Sequence, residues 1–136
     1  MTPPGAPNQV SITSDASLVQ ARQLVRALAQ ECRLSLVDQT KLITAAGELA
    51  RNTLIYGGGG SMSAAVVDHA GRRGIRLEFA DRGPGIPDLD LALTDGWTSG
   101  TGMGLGLSGS RRLVDDFAIA TEPGRGTTVT VVKWAR

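Results

Sequence analysis

Most of the 18 glycines fall in four short runs, at residues 57–60, 83–85, 100–109 and 124–126, and each run breaks the chain where helix or strand is costly to continue. The intervals between them keep apolar periods of their own. Leu18, Ala21, Val25, Leu28 and Cys32 recur at alternating spacings of three and four, one buried stripe of a helix that Ser14 or Asp15 can cap. Ser35 followed by Asp38 resembles a capping box and opens a second helix, whose expected core face is Leu36, Ile43, Ala46, Ala50 and Leu54 and which Gly57 to Gly60 terminates. Residues 62–68 and 75–81 then alternate as strands around a turn at 69–74. A third helix is expected over 105–116, with strands over 117–121 and 127–134. A short strand at 9–13 follows residues 1–8, which hold three prolines and a glycine and read as a flexible N-terminal arm. Strands that arrive as hairpins imply an α+β chain: an antiparallel or mixed sheet with helices on one face, without internal repeats.

At 136 residues the chain is long enough to bury a core as one domain without disulfide or metal staples. Cys32 is the only cysteine, so a disulfide framework or cysteine-rich zinc site within one chain is excluded, and a buried thiol is expected. A formal charge of +1, with no basic run beyond Arg72-Arg73 and Arg111-Arg112, argues against a nucleic-acid partner. No apolar run approaches a membrane span and the N-terminus lacks a leader-like pattern, so a cytoplasmic location is expected.

Three segments can carry chemistry. Glu48 and Asn52 lie four apart on the second helix and share one side, so a proton acceptor and an oxygen ligand for Mg²⁺ could stand beside the same phosphate. Asp81-Arg82-Gly83-Pro84-Gly85 closes a strand with an acid able to accept from an exocyclic amine, beside glycines that allow close backbone approach. Gly100 to Gly106 runs toward the third helix, where free N–H groups could face a phosphate. It is neither a Walker A loop nor a dinucleotide fingerprint, and protein-kinase signatures are absent. Taken singly, the three fit a solvated helix face, a tight turn and a bare glycine loop equally well.

Their order carries more than any one of them. Glu48…Asn52, Asp81-x-Gly83-x-Gly85, Gly102-x-Gly104-x-Gly106 and Gly124-x-Gly126-Thr127 together resemble the GHKL ATPase superfamily over residues 9–136. That resemblance implies a single Bergerat-type two-layer sandwich, a mixed, mostly antiparallel sheet packed on helices, with Mg-ATP held under a lid at residues 94–104. It implies that Asn52 coordinates Mg²⁺, Asp81 binds the adenine amine, and Gly83 and Gly85 shape the base pocket with support from Thr127. Gly102, Met103, Gly104, Leu105 and Gly106 are then the phosphate loop.

Within the superfamily, residues 48–52, 95–100 and 112–117 and the closing Val132-Lys133-Trp134 look like the RsbT-type serine/threonine switch kinases. This implies Glu48 as catalytic base, a STAS-domain protein as substrate and, on release, activation of a PPM-type phosphatase in stress signalling. The alternatives are an anti-sigma factor of the RsbW or SpoIIAB type, which sequesters a sigma factor, or a non-catalytic nucleotide-gated module. Tyr56 stands where many histidine kinases carry a basic residue or histidine, which leaves Mg²⁺, the loop or Arg111 to neutralise phosphate. The sole histidine, His69, falls in the expected turn, so histidine autophosphorylation is not expected.

Overall fold

A computed structural model describes residues 8–86 and 106–136. The chain order is β1 (Asn8–Ile12), α1 (Asp15–Glu31), α2 (Leu36–Ile55), β2 (Gly60–His69), β3 (Arg72–Asp81), α3 (Gly106–Arg112), β4 (Asp116–Glu122) and β5 (Gly126–Trp134). The strands form one sheet in the order β1-β2-β3-β5-β4, and every pairing is antiparallel.

The register puts alternate residues on a common face. Val10, Met62, Phe79, Val129 and Ile119 form one cross-strand row, and Ala64, Leu77, Val131 and Phe117 the next, all facing the helices. The opposite face carries rows such as Gln9, Ser63, Glu78, Thr130 and Ala118, polar or small, so it needs no second helical layer. α1 contributes Leu18, Ala21, Val25, Leu28 and Cys32 to the core, the expected stripe. It starts where Ser17 Oγ accepts the Thr13 and Ser14 N–H groups, both at 3.2 Å.

The core face of α2 is rotated from the expected one. Leu42, Ala45, Ala46, Leu49, Ala50 and Thr53 are buried, Ile43 and Leu54 only flank the core, and Leu36 is 77% exposed. A helix of mostly small and aliphatic residues offers several stripes with similar apolar content, and contact with the sheet and α1 selects one. Ser35 Oγ accepts the Asp38 N–H at 3.1 Å, as a cap should. The Asp38 carboxylate does not return to the backbone, as a capping box requires, but pairs with Lys133 and Arg136.

Other boundaries also differ. β1 starts at Asn8, inside the stretch assigned to the arm, because Asn8 pairs with Ala64. α3 ends at Arg112, short of residue 116: Asp115 N–H donates to Val132 O at 2.9 Å, which draws the chain onto β5. The β2–β3 turn narrows to Ala70-Gly71, at φ 51° and 79°, the left-handed pair of a two-residue hairpin. His69 therefore closes β2 opposite Arg72 rather than lying in the turn, with its ring 6.0 Å from that of Trp134.

Candidate active site

β3 delivers Asp81 to the end of the sheet where β5 begins and α2 stops. Asp81 Oδ1 accepts the Gly83 N–H at 2.9 Å and the Thr127 N–H at 3.3 Å, so one oxygen ties together the two glycine-containing segments that follow β3 and open β5. Gly57 presses against this carboxyl so closely that a Cβ there would collide with Asp81 Cγ, and Gly83 in turn packs on the Gly57 backbone. Gly126, at φ 115°, passes as tightly over the Asp81 carbonyl.

Two further contacts brace the loop after Asp81. Thr121 Oγ1 accepts the Ile86 N–H at 2.9 Å and lies 2.9 Å from Thr127 Oγ1, its cross-strand partner. Pro84 O accepts the Gly124 N–H at 2.8 Å, which joins the Gly83–Gly85 loop to the β4–β5 turn. A half-buried carboxylate acceptor between bare backbone segments matches what a flat base with an exocyclic amine requires. Gly57 and Thr121 were not among the expected site residues, and Gly126 stood in a glycine box without a role of its own.

α2 brings the other half. Asn52 O accepts the Tyr56 and Gly57 N–H groups at 2.9 and 3.2 Å, so the turn that carries Asn52 leads directly into the glycine packed on Asp81. Asn52 is half-buried, and a single carboxamide oxygen suits a cation that takes its remaining ligands from phosphate and water. Glu48, also half-buried, lies one turn earlier on the same side and lines a groove between α1 and α2 with Leu18, Arg22, Ile43, Thr44, Gly47 and Arg51. Asp81, Gly83, Gly85 and Thr127 are thus brought together, with Asn52 adjoining through Gly57. Gly106 opens α3, whereas Gly102, Met103, Gly104, Leu105 and the expected lid lie outside the described residues.

Residues 37–135 match the model of the histidine kinase-, DNA gyrase B- and HSP90-like ATPase family. The chain belongs to that family. This GHKL ATPase is 39% identical over 127 residues to the serine/threonine-protein kinase RsbT of Bacillus subtilis, a match spanning 93% of this chain and 96% of the relative. It is 28% identical over 122 residues to an anti-sigma F factor of Bacillus licheniformis, covering 83% of this chain and 81% of the factor. The fold recurs in the RsbU and RsbW domains of a Mycobacterium tuberculosis protein, at a TM-score of 0.66 and 20% identity over 98% of this chain and 34% of that one. It recurs also in the mycobacterial sensor histidine kinase MprB, at a TM-score of 0.55 and 17% identity over 96% of this chain and 99% of that one. The chain is an ATP-using regulator of the kinase and anti-sigma kind, and its enzyme class is that of the serine/threonine protein kinases. No described helix is long and apolar enough to cross a membrane.

Proposed function

We propose that this GHKL domain is a cytoplasmic switch kinase that transfers the γ-phosphate of Mg-ATP to a serine or threonine of a STAS-domain protein and, once released from it, activates a PPM-type phosphatase. The observation that carries the reading is the placement of Glu48 and Asn52 one turn apart on α2, whose end packs through Gly57 on Asp81. Bound Mg-ATP supplies the phosphoryl group and the charge that offsets its oxygens in the transition state. Asp81 fixes the base through its amine, Thr127 and Gly83 hold that carboxylate in place, and Asn52 holds the metal. Glu48 takes the proton from the substrate hydroxyl as the hydroxyl oxygen bonds to the γ-phosphorus and ADP leaves, and the groove Glu48 lines gives a partner loop access from the helical face. The glycine segment 102–106 contributes the remaining phosphate contacts.

Mixing the chain with Mg-ATP and candidate STAS domains is expected to label serine or threonine on the partner. Transfer to none of them would sink the assignment. Glu48→Ala is expected to lower transfer by about 10²–10⁴-fold with ATP binding retained, and an equal loss of binding would remove Glu48 from the role of base. The likeness to an anti-sigma F factor supports a second reading, sequestration of a sigma factor. Capture of a sigma factor without phosphatase activation would favour it.

A further inference from the structure

The end of the sheet away from Asp81 holds a buried charge cluster. Lys133 is 3% exposed, and its place in the core-facing row is beside Val66 and Ile75, a position that calls for an aliphatic residue. Its Nζ lies 3.4 Å from Asp38 Oδ1 and 3.5 Å from Asp115 Oδ1, while Arg136 reaches Asp38 Oδ2 at 3.5 Å and Asp115 Oδ1 at 2.7 Å. The second Asp115 oxygen accepts the Trp134 N–H at 2.8 Å. Asp38 belongs to the first turn of α2, and Asp115 to the link between α3 and β4. One ammonium therefore joins three elements.

α2 spans the same distance as the strand beneath it. Asp38 and Asn52 stand about 21 Å apart at a helical rise of about 1.5 Å per residue, and Thr127 and Lys133 about 20 Å apart at about 3.3 Å per strand residue. Lys133 meets the start of α2, and Gly57, just past its end, packs on the Asp81 carboxyl that Thr127 holds. The face between these points buries Leu42 and Leu49 together with Ala45, Ala46 and Ala50, and apolar burial alone is non-directional. Packing there is spread along the whole face, whereas a charge pair acts at a point. A contact at one end fixes a point of the helix, and contacts at both ends fix its axis. Buried ion pairs contribute little net stability, and register is their best-attested role.

We infer that Lys133 is a positioning residue: by pairing with Asp38 and Asp115 it sets the axial register of α2 against β5, and so where Glu48 and Asn52 stand relative to the Asp81–Thr127 pocket. The inference deepens the proposed function and rests on it for the roles of Glu48 and Asn52. The test compares amide spectra of the ¹⁵N-labelled chain, thermal melting and phosphotransfer for wild type, Lys133→Met and the neutral triple variant Lys133→Met/Asp38→Asn/Asp115→Asn. In Lys133→Met the amide signals of residues 52–57, at the far end of α2, are expected to shift, and transfer to fall about 10- to 100-fold. In the triple variant, with no uncompensated buried charge, melting is expected to recover while those signals remain displaced. If Lys133→Met does not fold, the triple variant carries the test. Unmoved signals in a folded Lys133→Met, or signals that return with the melting temperature in the triple variant, would overturn the inference. A wild-type chain that transfers no phosphate would instead defeat the kinase reading and leave the amide result standing.

Discussion

Asp81 uses one oxygen for the backbone around it, and in the proposed function its carboxylate also accepts from the amine of the base. Asp81→Asn keeps the size of the side chain but removes the charge, and hydrogen bonds to charged groups contribute about 1.5–3 kcal/mol. The variant is expected to bind ATP about 10- to 100-fold more weakly by titration calorimetry, and unchanged affinity would exclude Asp81 from base recognition. The acid itself is legible from a single strand, because it stands where an apolar alternation ends. Gly57, packed against its carboxyl, is not legible in that way. In sequence it is one of four glycines that stop a helix, and only the tertiary packing shows that Gly57, against Asp81, and Gly60, against the Ala80 carbonyl, must lack a Cβ.

At the scale of the element, α2 decides the site because it carries both Glu48 and Asn52 while burying Leu42 and Leu49 completely. Leu49→Ala is expected to cost about 2–5 kcal/mol in urea unfolding, from lost transfer energy and the cavity left behind. Leu36→Ala, at a position 77% exposed, is expected to stay within about 0.5 kcal/mol of wild type. The reverse ranking would restore the core face read from the sequence. Helical period shows that α2 is amphipathic, but the stripe it buries depends on the helix and sheet packed against it. The third helix shows the same limit, because Asp115 prefers partners on β5 to another turn of helix.

Across the whole molecule, the charges at the sheet end opposite Asp81 couple stability to pH. Burial alone would raise the Asp115 pKa, but the Trp134 N–H, Lys133 and Arg136 together outweigh it and hold the carboxyl below its ordinary value of 3.8. A depressed folded pKa means that the stabilisation is present above the unfolded pKa and is lost as pH falls through the folded one. Melting temperature is therefore expected to drop below about pH 4, and Asp115→Asn to be less stable at neutral pH with a shallower acid limb. An acid limb of the same slope in both proteins would remove Asp115 from the linkage.

The sequence by itself determined the order of elements, the α1 stripe, the hairpin pairing of strands and the ordered boxes that mark the ATPase family. The first three rest on local periods and turn residues visible within a short window, and the boxes on their order along the chain. Tertiary structure decided which face α2 buries, where α3 stops, that every described strand pairing is antiparallel, that Gly57, Thr121 and Gly126 pack around Asp81 and the loop after it, and that Asp38, Asp115 and Lys133 meet. Close packing and charge pairing depend on residues distant in the chain, and no period within a segment records which partner it will meet.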